Sequence, residues 1–211
     1  MPPITNYREL LAAATAMGPV PVVIAAAHEY EVLQAACEAQ ASGIIHATLV
    51  GCAQSIHEIA HEHGLHLDAM HIVDEPDEAV AAEKSMCLVA TGKAKVAIKG
   101  QLPTSTFLRA ALARAAGLRT NRLISHVGIF EIPGFDRLLF ISDGGVVLYP
   151  TKEQKIEIIS NSIAVARGFG IQQPRIALLA ATDEVFAELP VTVEIAEIVA
   201  MQEQWQAEGA L

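Results

Sequence analysis

The chain has 211 residues, 52% of them apolar and only 18% charged, so it can bury a sizeable core in one large domain or two small ones. Its net charge is −10, from 14 basic against 24 acidic side chains, and its densest basic cluster, Lys93, Lys95 and Lys99, is broken by apolar residues; no nucleic-acid partner is expected. Residues 1–9 hold no apolar signal-peptide core and no apolar run reaches the ~18 residues that cross a bilayer, so the expected location is the cytoplasm, with no membrane partner.

Strand-like and helix-like segments alternate along the chain. Residues 7–17 predict a helix, with Asn6 and Glu9 as its capping box and Gly18-Pro19 as its stop. The apolar run 21–27 predicts a strand and 29–40 a helix, with Val32, Leu33, Ala36 and Cys37 on one face and Gly43 just past its end. Residues 47–51 predict a strand, 54–63 a helix ended by Gly64, and 70–73 a short strand. A helix is expected over 77–91, a strand over 95–98 and a helix over 107–115. Strands separated by helices of this length imply crossover units and a mostly parallel sheet with helices on both faces, an α/β fold in three layers. The middle differs. Residues 123–132 and 137–143 predict an antiparallel hairpin about Pro133-Gly134, which suits the central positions of a type II turn. A helix over 152–169, a buried strand over 175–181 and a helix over 191–206 follow. Gly209-Ala210-Leu211 resembles the start of another strand.

Four stretches carry polar groups of interest. The loop from Lys99 through Gly100 to Thr104, Ser105 and Thr106 follows a strand and enters a helix, with Arg109 on that helix's first turns. Hydroxyls beside helix N-terminal amides suit an anionic oxygen; an ordinary helix cap is the plain alternative. Ser125-His126 is a polar pair inside an apolar segment, but no Gly-x-Ser-x-Gly elbow accompanies it. His57-Glu58-Ile59-Ala60-His61 matches the His-Glu-x-x-His string. No third ligand or open cleft is evident, so a solvated helix face is expected and no metal. Cys37, Cys52 and Cys87 form no disulfide or metal pattern and read as small buried or half-buried thiols. Asp143-Gly144-Gly145 reads as a turn, and neither a P-loop nor Gly-x-Gly-x-x-Gly occurs.

Taken in order, Lys99-Gly100, Thr104, Thr106, Leu108-Arg109, Gly117-Leu118-Arg119-Thr120, Ile124-Ser125-His126-Val127, Phe130-Glu131-Ile132-Pro133-Gly134 and Leu139-Phe140-Ile141-Ser142-Asp143 resemble the phosphate acetyl/butyryltransferase family. Pro150, Lys155, Ile158, Asn161, Ala166, Gly170-Ile171 and Pro174 continue the resemblance, which is similar in detail to phosphate butyryltransferases and to the transferase half of bifunctional enoyl-CoA hydratase/phosphate acetyltransferases. It implies a two-domain architecture like that of isocitrate and isopropylmalate dehydrogenases, here residues 1–135 as the first domain and 136–211 as an incomplete second one, with the site in the cleft between them. It implies acyl transfer between coenzyme A and phosphate with no cofactor beyond those substrates. Thr104, Ser105, Thr106 and Arg109 become candidate contacts for phosphate and coenzyme A, and Ser125 and His126 for the acyl phosphate. Val147 stands where the family usually has Asn. Family members also continue past the position of Leu211, into a Ser-Arg-x-Asp-Ser-like stretch that supplies catalytic Arg and Asp. The expectation is therefore a shortened or fragmentary member, with an apolar seam that favours a homo-oligomer. A non-catalytic ligand-binding homologue, or another enzyme of the related fold, is the alternative.

Overall fold

The structure is a computed structural model that describes residues 2–207 and 210. The chain divides into two compact units, Ala12–Thr120 and Met1–Leu11 with Asn121–Leu211; residue 135 lies inside the second. Helix α1, Tyr7–Met17, spans the first division. Its cap is half of the expected box: Asn6 Oδ1 accepts from Glu9 N–H, but the Glu9 carboxylate reaches back to Thr5 instead of Asn6.

The unit Ala12–Thr120 is built from β1 (Val20–Ala25), α2 (Tyr30–Ala41), β2 (Ile45–Gly51), α3 (Ala53–His63), β3 (His71–Asp74), α4 (Glu78–Ala90), β4 (Val96–Lys99) and α5 (Thr104–Leu112). The strands form a parallel sheet in the order β3-β2-β1-β4, with Val22 registered against both Ala47 and Val96. The pleat sends alternate residues to opposite faces. Val22 and Ile24 of β1 pack with Leu33, Ala36, Ile56 and Ala60 of α2 and α3. Val23 and Ala25 face the other way, toward Ala81, Ala82 and Met86 of α4 and Ala110 of α5. Helices thus cover both faces, as the near-continuous apolar strands require. The chain leaves β1 toward β2 and β3 and then returns to β4 on the other side of β1. The strand order therefore reverses between β1 and β4. There β4 is an edge strand with Val96 and Ile98 partly exposed. Cys37 and Cys52 are half-buried as expected, whereas Cys87 is exposed, because it falls on the outer side of α4.

In the second unit, the turn about Pro133-Gly134 forms as expected: Phe135 N–H donates to Ile132 O at 3.0 Å, and Gly134 has φ 88. The paired strands are shorter than the periodicity predicts, only β5 (Gly128–Phe130) against β6 (Leu139–Ile141). The reason lies in the backbone groups of 123–126. Side chains satisfy them in place of a neighbouring strand: Glu157 and Asn161 at Leu123, Asp143 and Ser142 at His126. Helix α6, Lys152–Gly168, starts on a full capping box between Thr151 and Gln154. Its Ile159 and Ile163 join Ile198 in a separate core. The helix expected over 191–206 is two, α7 (Pro190–Val199) and α8 (Gln202–Ala207). Between them Met201 N–H bonds Ile198 O, and the Trp205 indole N–H closes on the same carbonyl. The expected strand 175–181 has no ladder partner among the described residues. Ile176 and Leu178 turn toward the core while Leu179 is 87% exposed, so the alternation is present without the sheet. Of the strand start suggested at 209–211, Gly209 and Leu211 lie outside the described residues.

Candidate functional site

In open parallel sheets ligands sit beyond the carboxyl ends of strands where the strand order reverses. Here that place is the end of β1 and β4. After Lys99 the chain passes beneath the end of β1, with Gly100 N–H donating to Ala25 O and Gln101 N–H to Ala26 O, both at 2.8 Å. A side chain at position 100 would run into the Ala26 carbonyl, which is why only glycine fits. Lys99 Nζ donates to the carbonyls of Gly100 (3.1 Å) and Leu102 (3.0 Å), so this cation braces the loop. A solvent-open concavity of about 400 Å³ lies here, bounded by Glu29, Glu78 and Lys99 through Pro103.

The helix that follows is not capped by a side chain. Pro103 occupies the N-cap with φ −61 and ψ 137, and Thr104, Ser105 and Thr106 fill the first three helical positions. Helix α5 therefore begins three residues before the expected 107 and ends at Leu112. The plain reading of Thr104 or Ser105 as an N-cap is replaced by hydroxyls in the first turn, where the Thr104 and Ser105 amides precede the first intrahelical bonds and the Thr106 N–H donates to Pro103 O at 3.0 Å. Thr104 and Ser105 are exposed and Thr106 half-buried. Arg109 is exposed and lies four residues after Ser105, on the same side of the helix.

Ser125 and His126 belong to the second unit. Ser125 Oγ accepts from Asn161 Nδ2 at 3.0 Å; the same amide donates to Leu123 O, and its Oδ1 accepts from Arg122 at 2.9 Å. Leu123 N–H donates to Glu157, one turn earlier on α6. His126 is held at both backbone groups: its N–H donates to Asp143 Oδ1 (2.9 Å) and its carbonyl accepts from Ser142 Oγ (2.6 Å). Gly144 lies directly under the imidazole, leaving no room for a Cβ. Asp143, Glu157 and Asn161 are the residues that reading the sequence for chemistry passes over. The i, i+4 pairing of Glu157 with Asn161 on a helix with an apolar stripe is the signal that points to those two; it does not reach Asp143, which lies outside that helix.

Burial pushes the Asp143 carboxyl up, but the backbone N–H groups of Val147, His126, Val146 and Gly144 outweigh it and hold it below the ordinary aspartate value. A carboxyl depressed in the folded state stabilises fully above its unfolded value, near pH 4, and loses that contribution as pH falls through the folded value. Asp143→Asn is therefore expected to lower stability more at pH 7 than at pH 3. Urea unfolding of both proteins across that range checks this; an equal difference at the two pH values would refute it.

His57 and His61 are exposed on α3, with His63 stacked on Tyr30 at 4.1 Å between ring centroids. Among the described residues no three His, Cys, Asp or Glu side chains converge as a metal-binding group.

The family model described as phosphate acetyl/butaryl transferase matches residues 78–211. The phosphate butyryltransferase of Clostridium acetobutylicum is 36% identical over 208 residues, covering 99% of this chain and 69% of its own length. The phosphate acetyltransferase of Rhizobium meliloti is 36% identical over 207 residues, covering 98% of this chain and 66% of its own. Among solved structures, a branched-chain phosphotransacylase from Enterococcus faecalis V583 superimposes with a TM-score of 0.73 at 28% identity, over 86% of this chain and 63% of that one. This chain thus spans about two thirds of the length of these relatives, and it belongs to the phosphate acetyl/butyryltransferase family.

Proposed function

We propose that the protein moves an acetyl- or butyryl-type acyl group between coenzyme A and inorganic phosphate. A phosphate oxygen attacks the thioester carbonyl carbon, a tetrahedral oxyanion forms, the C–S bond breaks, and coenzyme A leaves as thiolate with acyl phosphate as the other product. The reaction uses these two substrates and no further cofactor. Its demands are positioning of a dianion and stabilisation of an oxyanion, which fixed amides, hydroxyls and a guanidinium supply. Thr104, Ser105, Thr106 and Arg109 would hold phosphate-bearing groups, with Ser125 and His126 at the acyl phosphate. The observation that carries this reading is the uncapped first turn of α5, which presents three hydroxyl side chains beside the place where the sheet order reverses.

The wider reading is a cytoplasmic homo-oligomer with the two-domain architecture of isocitrate and isopropylmalate dehydrogenases. The exposed Val96 and Ile98 on edge strand β4 support the homo-oligomer. Among the described residues no helix is long and apolar enough to cross a membrane.

Coenzyme A release from acetyl- and butyryl-CoA with phosphate, beside a calorimetric titration with coenzyme A, tests the proposal. Arg109→Ala is expected to weaken coenzyme A or phosphate binding roughly tenfold to a hundredfold, the loss of a hydrogen bond to a charged group. Unchanged affinity for both would remove Arg109 from the site. Binding without turnover would favour the non-catalytic alternative.

A further inference from the structure

We infer that Asn161 is a positioning residue: it fixes the Ser125 hydroxyl as a hydrogen-bond donor toward an oxygen of bound acyl phosphate. This rests on the reading of Ser125 as a ligand contact. A primary amide has two N–H donors on one side and one acceptor oxygen on the other. The partners of Asn161 decide which side is which. Leu123 O can only accept, and the Arg122 guanidinium can only donate. Turning the amide over would set oxygen against oxygen and N–H against guanidinium. The observed orientation is therefore the one the network allows, and the second N–H is directed to Ser125 Oγ at 3.0 Å.

A serine hydroxyl has one proton. Because Oγ accepts from Asn161, it does not give its own proton back. The Ser125 O–H is left to donate to another acceptor, and a charged phosphoryl or developing carbonyl oxygen is a strong one. The mounting is rigid. Asn161 lies on α6 between Ile159 and Ile163, both buried, while Glu157 one turn earlier grips Leu123 N–H. Both backbone groups of Leu123 are thus clamped two residues before Ser125.

The test is a double-mutant cycle read by calorimetric titration with acetyl phosphate, with thermal unfolding measured on every protein. Ser125→Ala is expected to weaken binding roughly tenfold to a hundredfold. Asn161→Leu, neutral and of similar volume, is expected to weaken it roughly threefold to tenfold when Ser125 is present, and less than about twofold when Ser125 is already Ala. Asn161→Ala serves the same cycle if the leucine variant does not fold. A merely structural role would lower the unfolding temperature and leave the binding factor equal in both backgrounds. That result, or unchanged binding in both Asn161 variants, overturns the inference. Unchanged binding in Ser125→Ala overturns instead the reading of Ser125 as a ligand contact.

Discussion

Gly100→Ala is expected to destabilise the unit Ala12–Thr120 by about 3–5 kcal/mol, through overpacking and the loss of two backbone hydrogen bonds. The added Cβ would enter contact with the Ala26 oxygen and lie 2.7 Å from the Ala25 oxygen and 2.9 Å from the Ala26 carbonyl carbon. These are backbone atoms, so no side chain can swing aside. Ala26 already has φ 53, in the left-handed region, and is fully buried, so the end of β1 has little room to yield. The loop must move instead, breaking the bonds from Gly100 and Gln101 to Ala25 and Ala26. Thr104 to Thr106 follow four residues later and would shift with it. Weakened coenzyme A binding should therefore accompany the loss of stability. Gly64→Ala is the control. Gly64 has φ 65 with nothing within 4 Å of the added carbon, so only the left-handed strain of about 1–2 kcal/mol applies. Urea unfolding of the two variants checks the contrast; a Gly100 variant no less stable than the Gly64 variant would refute the close-approach account.

Where hydrophobic period and punctuation agree, the sequence alone is enough. The run 21–27 becomes Val20–Ala25, the segment 54–63 becomes Ala53–His63, and Gly64 ends that helix in the left-handed region, as its position predicts. The hairpin turn at Pro133-Gly134 is equally legible, since its two residue types fix the dihedral angles. Legibility fails where a segment's partner is distant in sequence. Residues 123–127 carry a strand pattern, but what satisfies their backbone is a set of side chains from α6 and the Ser142-Asp143 turn, which periodicity cannot encode. The segment 175–181 keeps its period of two without a neighbouring strand. The break between α7 and α8 depends on Trp205 closing over Ile198 O, a tertiary contact. At the candidate site, the hydroxyl triplet and Arg109 are visible as residue types in a strand-loop-helix setting. That Pro103 rather than a hydroxyl takes the N-cap, and that Lys99 is committed to loop carbonyls, follows only from geometry.

Ile163→Ala is expected to cost about 2–5 kcal/mol, the range for truncating a buried isoleucine without collapse of the space it leaves. Ile163 is 2% exposed and meets Ile159 and Ile198 in a core that shares no residue with those of the sheet. Its location makes the consequence specific. Asn161 and Glu157 hold Leu123 and Ser125 from the same helix, so loosening α6 loosens that segment. Amides of residues 122–126 should exchange with solvent at least tenfold faster, since 1.4 kcal/mol of lost protection already gives a factor of ten. Leu49→Ala, in the core between the sheet and helices α2 and α3, is of similar size but should act chiefly on the amides of β1 and β2. Hydrogen exchange on both variants tells the two apart. If Ile163→Ala sped exchange equally in β1 and in residues 122–126, the two cores would unfold as one cooperative body, and the assignment of Ser125's rigidity to α6 would fail.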